Sequence, residues 1–208
     1  MVKIAVLVSG GGTNLQALID KREEFPEGEL SLVLSSSSEA YALTRAESAG
    51  VETVVIEPGS YSSRESYTDA VTNALLGRGI GLAVFAGFMY ILAPRFFEAF
   101  GGRAVNVHPA LIPSFCGKGF YGLRVHKAVL DYGVKLTGAT VHFANDVVDG
   151  GPIILQKAIP VLPGDTPESL QKRVMEQCEW ELLPKAVHLF CAGRLRILGR
   201  VVAIHDGM

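Results

Sequence analysis

Five short apolar runs, at residues 3–8, 30–34, 51–56, 82–86 and 104–107, alternate with segments patterned as helices. Parallel neighbours need a crossover of about a dozen residues or more, and such crossovers are right-handed. The alternation therefore predicts a mainly parallel sheet covered by helices on both faces. Residues 14–22 read as a helix entered from Thr13, and residues 40–49 as a second helix with Gly50 at its C-terminal stop. Ser62 and Glu65 have the spacing of a capping box, which starts a helix running to about Leu76. Pro94 suits the first turn of a short fourth helix.

The pattern changes after Val107. Pro109, Pro113, Gly117, Gly119 and Gly122 punctuate a long irregular segment, and residues 123–132 are helical. Residues 137–144 alternate, and 153–161 form another extended run. Thr166-Pro167-Glu168 is a helix start, Thr at the cap and Pro at the first turn, for a helix reaching Cys191 despite Pro184. Residues 195–204 read as a terminal hairpin. The fold class expected is a Rossmann-like three-layer αβα sandwich with antiparallel additions in the C-terminal half. A length of 208 residues fits one domain, a nucleotide-binding half over 1–105 and a catalytic half over 106–208.

Composition narrows the function classes. Hydrophobic residues make up 49% and charged residues 19%, enough for a large core. A formal charge of -2 provides no long-range attraction for nucleic acid, though a local basic patch stays open. No apolar stretch is long enough for a membrane helix, and the first strand runs straight into glycines rather than a cleavage site. Cys116, Cys178 and Cys191 are odd in number and lack CxxC spacing, which argues against disulfides or zinc and for a reducing cytoplasm. His108, His126, His142, His188 and His205 have no metal-ligand spacing, so no metal is expected. His142, in an alternating strand, reads as a hydrogen-bonded core histidine. The run Ser35 to Ser38 reads as a solvated turn.

Three places carry chemistry. Ser9-Gly10-Gly11-Gly12-Thr13-Asn14 joins the first strand to the first helix, where free N–H groups and the helix dipole favour an anion. It lacks the Gly-Lys-Ser/Thr of a P-loop. It also lacks the third glycine of a dinucleotide site, and serines stand where an acidic residue should hold a ribose. A phosphomonoester site and a plain tight turn both remain compatible with it. Asn106-Val107-His108-Pro109 puts Asn106 and His108 on one face of a strand, at the sheet edge where open α/β folds bind ligands. Such a pair can serve an oxyanion and a proton, or merely cap the strand and bond loop backbone. Asp149-Gly150-Gly151-Pro152 is either a turn that delivers a carboxylate or a simple hairpin connection.

Taken together, SGGGTNLQAL near the start, SRESY at 63–67, AGFMYIL at 86–92, NVHPALIPSF at 106–115, TGATVHF at 137–143 and DGGPIILQ at 149–156 resemble the glycinamide ribonucleotide formyltransferases of purine synthesis. The motifs occur in family order over almost the whole chain. The resemblance implies a formyl transfer from 10-formyltetrahydrofolate to the amine of glycinamide ribonucleotide, with Asn106, His108 and Asp149 as catalytic residues. It implies a ribonucleotide site at Gly12, Thr13, Asn14 and Glu179. It also implies a folate pocket at Arg64, at Met89, Tyr90, Ile91 and Leu92, and at Asn145, Asp146, Val147 and Val148. Partners would be these small molecules, with no nucleic acid and no membrane, in a monomer or homodimer. The chain departs from relatives in three places: Tyr90 stands where a basic residue is frequent, the stretch from Cys116 to Tyr121 is longer than in some members, and the helix bearing Glu179 is one residue longer than in some. On the same reading, Asp149 should raise the His108 pKa by favouring the imidazolium.

Related enzymes that formylate methionyl-tRNA or a sugar nucleotide, or hydrolyse formyltetrahydrofolate, usually carry an extra domain for which 208 residues leave no room. A non-catalytic nucleotide-binding module would not need Asn106, His108 and Asp149 together. An NAD-dependent dehydrogenase would want the missing glycine and acidic residue.

Overall fold

The computed structural model describes residues 1–205. Among them the strands are β1 (Val2–Val8), β2 (Gly28–Ser35), β3 (Glu52–Val55), β4 (Leu82–Phe85), β5 (Ala104–His108), β6 (Leu136–Phe143), β7 (Ile153–Pro160), β8 (Leu195–Leu198) and β9 (Val201–Ile204). They form one sheet in the order β3-β2-β1-β4-β5-β6-β7-β9-β8. Pairing is parallel from β3 through β5, as the crossover argument requires, and antiparallel from β5 to β6 and β6 to β7. The terminal hairpin β8–β9 joins through one parallel contact of β9 with β7. The αβα class with an antiparallel addition is therefore what the chain adopts, and one sheet runs through both halves.

Side-chain alternation along β1 divides the core. Ile4, Val6 and Val8 pack on one layer with Leu15 and Leu18 of α1 (Thr13–Asp20), Ala42 and Ala46 of α2 (Tyr41–Ser48), and Val129 of α5 (Leu123–Tyr132). The same layer takes Leu170 and Val174 of α6 (Pro167–Val174) and Leu183 and Val187 of α7 (Trp180–Cys191). Ala5 and Leu7 face the other layer, made by Tyr67, Val71 and Leu75 of α3 (Arg64–Leu76) and Phe96 and Phe100 of α4 (Pro94–Phe100). Since both faces of β1 are buried, its apolar run needs no polar alternation.

Two local expectations change, and a third element gains a detail. The cap of α3 is Ser63 with Ser66, not Ser62 with Glu65; Ser66 bonds back to the Ser63 backbone, and the Glu65 carboxylate turns to Arg64 at 3.6 Å. A serine at the third helical position closes the same reciprocal pair with a shorter reach. The serine run is not a solvated turn throughout. Ser35 and Ser36 are buried, Ser36 Oγ lying 2.6 Å from Ser9 Oγ, and only Ser38 is exposed. The C-terminal helix does run on to Cys191 as expected, its parts α6 and α7 joined by a π turn over Met175–Glu179. A π turn absorbs one extra residue without breaking the helix direction, and here it buries Cys178 and Glu179 together. Pro184 lies within α7, where it lacks the N–H that would bond the Trp180 carbonyl.

Candidate functional site

A cleft of about 790 Å³ opens at the C-terminal ends of β1, β4 and β5. The sheet order reverses there, because β1 has β2 on one side and β4 on the other. At such a switch point the following loops diverge and leave a crevice. Asn106 and His108 share a face of β5 with Ala104, opposite Val105 and Val107, and both line the cleft.

The antiparallel partner strand adds a residue that spacing alone assigned to the core. β6 pairs so that His142 lies directly opposite Asn106. The Asn106 amide nitrogen is 3.1 Å from His142 Nε2 and donates to Asp149 Oδ1 at 3.3 Å. His142 Nδ1 faces the Phe143 carbonyl at 2.8 Å. A carbonyl can only accept, so Nδ1 carries a proton; Nε2 accepts from Asn106 in the neutral ring and donates to Asp149 Oδ1 in the charged one. His142 is buried and hydrogen-bonded, as read, but it belongs to the polar cluster. No signal local to residues 137–143 could reveal this, since the register with β5 is a long-range pairing.

Asp149 joins the cluster from the loop between β6 and β7. Its own backbone is left-handed at φ 54, a region where Asp is tolerated more readily than most residues. Gly150 and Gly151 are required for another reason: close approach. A Cβ on Gly151 would lie 1.7 Å from the Phe143 carbonyl oxygen, and one on Gly150 would lie 2.5 Å from Val147 Cγ1. Gly151→Ala is therefore expected to cost roughly 1–3 kcal/mol by overpacking. It should also disturb the Asp149 turn, so a denaturant melt and a turnover assay should fall together.

The Asp149 side chain is almost fully enclosed. Oδ2 accepts from the Gly117 N–H at 2.8 Å and lies 3.4 Å from His108 Nδ1, while His142 Nε2 faces Oδ1 at 3.6 Å. Burial works to raise its pKa. The facing His142, the charge of His108 and the Gly117 N–H outweigh that and hold the carboxyl below its usual value. His108 is 4% exposed, and its Nε2 bonds the Phe115 carbonyl at 2.8 Å. Phe115 has a left-handed φ of 50, strained for a bulky side chain, and that conformation accompanies the carbonyl's approach to the imidazole. The expected rise of the His108 pKa does not prevail. Burial lowers it, and this outweighs the upward pull of Asp149 and of the Phe115 carbonyl.

A second polar group lies at the other end of the cleft. Asn14, in the first turn of α1, donates to Glu179 Oε2 at 2.6 Å, both side chains being buried. Desolvation raises the Glu179 pKa to about 7, against the pull of Asn14. The π turn directs Glu179 inward beside Met175, and Asn14, Met175 and Glu179 all line the cleft. Gly12 takes φ 70, and a Cβ there would meet Ala42 Cβ at 2.6 Å, so α1 and α2 pack closely through it. No side chain caps α1. Gly12 and Thr13 are half-buried beside Asn14 at this end of the cleft, and Thr13 Oγ1 contacts Met175 Sδ at 3.7 Å.

The remaining wall is mostly apolar. Met89, Tyr90, Ile91 and Leu92 line it with Asn145, Asp146, Val147 and Val148. Met89, Ile91 and Val147 are about half exposed, at 50%, 47% and 59%, an arrangement that marks a ligand surface more than a solvated one. Ser9 Oγ accepts from Met89 N at 2.9 Å and ties this segment to the glycine loop. Tyr90 packs on Tyr67 and Phe88, with ring centroids 5.8 and 6.3 Å away. Arg64 stands apart: it opens α3, is exposed, and does not line the cleft. Lys118, also outside the sequence-based set, lines the cleft beside Gly117. Among the described residues no group of three or more His, Cys, Asp or Glu could hold a metal ion, and no helix is long and apolar enough to cross a membrane.

The formyl transferase family pattern matches residues 2–187. Phosphoribosylglycinamide formyltransferase of Haemophilus influenzae is 38% identical over 95% of this chain and 91% of its own. The enzyme of that name from Escherichia coli is 36% identical over 94% and 90%. The trifunctional purine biosynthetic protein adenosine-3 of Gallus gallus is 42% identical over 94% of this chain, which spans only 19% of that longer protein. The crystal structure of glycinamide ribonucleotide transformylase 1 from Symbiobacterium toebii matches with a TM-score of 0.93 and 42% identity, over 99% of this chain and 95% of that one. On this agreement of sequence along the chain with the shape of the fold, the chain belongs to the formyl transferase family, alongside the phosphoribosylglycinamide formyltransferases.

Proposed function

We propose that this cleft transfers the formyl group of 10-formyltetrahydrofolate to the amine of glycinamide ribonucleotide, giving formylglycinamide ribonucleotide and tetrahydrofolate in purine synthesis. The observation that carries the reading is the convergence of Asn106, His108 and Asp149 between an apolar wall and a buried polar pair. A flat, apolar donor suits Met89, Tyr90, Ile91, Leu92 and the loop from Asn145 to Val148. Aromatic neighbours give Tyr90 a stacking face in place of the charge frequent in relatives. Arg64, outside the wall, is left for the donor's outer carboxylates.

The acceptor takes the opposite end. Its phosphate would meet the uncapped N-terminus of α1 at Gly12, Thr13 and Asn14. Glu179, acceptor-only when ionised, suits its ribose hydroxyls. The amine nitrogen attacks the formyl carbon, and the carbonyl electrons move to oxygen. Asn106 and His108 donate to that oxyanion, which requires Asn106 to leave His142 or Asp149, and His108 to leave the Phe115 carbonyl. Collapse breaks the bond to the folate nitrogen. The proton lost by the attacking amine reaches that nitrogen by way of Asp149 and His108. Cys116, Cys178 and Cys191 are all free, which suits a reducing cytoplasm.

Folate deformylation followed by absorbance, with and without glycinamide ribonucleotide, tests this. Turnover should require the ribonucleotide and vanish in His108→Ala. Deformylation without an amine would make the chain a hydrolase instead.

A further inference from the structure

His126 is the fourth residue of α5, fully buried, and part of the cleft wall with Asn14, Gln171, Met175 and Glu179. Neither of its ring nitrogens has a hydrogen-bond partner in the protein. That is an unusual state, because an unmet buried polar group costs about 1–3 kcal/mol, and most such groups are paired. A leucine or phenylalanine here would fill the same space without that cost. The ring is thus unpartnered at the cleft wall, and a ligand would meet one of its nitrogens once a small shift of that wall uncovers it.

Its chemistry narrows what that is. Burial, reinforced by the nearby His108, lowers its pKa to about 4, so the ring is neutral at pH 7. A neutral imidazole offers one N–H donor and one lone pair. A phosphate or carboxylate could use only the donor and would leave the lone pair facing negative charge. Ribose hydroxyls fall to the Glu179 carboxylate. What remains in the acceptor is its amide, which can donate to the lone pair or accept from the N–H, and which adjoins the reacting amine as His126 lies within electrostatic reach of His108.

We propose that His126 is a specificity-determining residue that recognises the glycinamide amide of the acceptor through one ring nitrogen, accepting from its N–H or donating to its carbonyl according to the tautomer. This rests on the proposed function. It explains why an imidazole is kept on α5, packed against α6, where an apolar side chain would stabilise the free protein better. Selectivity follows, since a ligand without the amide leaves the buried ring nitrogen unmet.

Calorimetric titration of the folate-free protein with glycinamide ribonucleotide and with ribose 5-phosphate tests it. His126→Phe should bind glycinamide ribonucleotide about tenfold more weakly, the loss of one net hydrogen bond. Its affinity for ribose 5-phosphate, which lacks the amide, should stay within twofold, and its Tm should hold or rise. His126→Asn, which keeps a donor and an acceptor, should recover part of the loss. Equal weakening of both ligands, or unchanged binding of glycinamide ribonucleotide, overturns the proposal. Should His126→Phe not fold, 15N shifts of the His126 ring in the unaltered protein decide: they must move with glycinamide ribonucleotide and not with ribose 5-phosphate. If the unaltered protein binds ribose 5-phosphate but not glycinamide ribonucleotide, the acceptor assignment itself falls.

Discussion

Asn106→Ala is expected to lower turnover by about 10²–10³, or roughly 2.7–4 kcal/mol, the usual loss for one oxyanion donor. Affinity for glycinamide ribonucleotide should change little, because Asn106 meets the oxygen that becomes negative only as the amine attacks. The structure adds a cost. The Asn106 amide also supplies His142 Nε2 and Asp149 Oδ1, and truncation leaves two enclosed acceptors without that donor. About 1–3 kcal/mol of stability should go with them, so a denaturant melt must accompany the kinetics. Steady-state turnover near that of the unaltered enzyme, in a folded variant, would remove Asn106 from the oxyanion role.

Asp149→Asn should be at least as damaging, since general acid–base groups contribute about 10²–10⁴. Asparagine is the fitting substitution, because it tolerates the left-handed backbone at φ 54 and can still accept from the Gly117 N–H. What it removes is charge. In the intact site burial already lowers the His108 pKa, and Asp149 is the largest pull the other way. Without that pull the pKa falls further, so the fraction of imidazolium at neutral pH shrinks. If imidazolium is the donor to the oxyanion, activity is lost as pH rises through that pKa. The descending limb of a kcat/KM profile should then move to lower pH in the variant. A limb that stays put or moves upward would show that Asp149 does not act through the charge of His108.

The two variants also separate what was legible early from what was not. The residue pair Asn106 and His108 stands out because period-two geometry puts both on one face of a strand, and the parallel half of the sheet follows from alternation of strands with helices. Asp149 was visible only as a polar turn, and the resemblance to relatives linked it to the pair. Its neighbour His142 reads as a buried, hydrogen-bonded histidine, which it is, but its place beside Asn106 does not show in the spacing. Which residue of β6 lies opposite Asn106 depends on a pairing between strands 36 positions apart at that point, and nothing within either segment encodes the register. The capping box of α3 slipped by one residue for a related reason. Ser62, Ser63, Glu65 and Ser66 offer overlapping cap patterns, and the contacts made after folding select among them.

Charge states were the least legible. The sign of the Asp149 effect on His108 follows from Coulomb's law, but the net shift depends on how deeply the imidazole is buried, and burial exists only once the irregular segment after Pro113 folds back over β5. The same holds for Glu179, raised to about 7 because the π turn carries it out of water, and for His126, whose orphaned nitrogens no spacing could reveal. From the sequence alone come the layer architecture, the parallel half of the sheet and the residue types at its carboxyl edge, since these depend on local periodicity and chain connectivity. Register across the antiparallel strands, the enclosure of the carboxylates and the protonation they impose belong to the tertiary structure, because desolvation and pairing arise only between segments brought together by the fold.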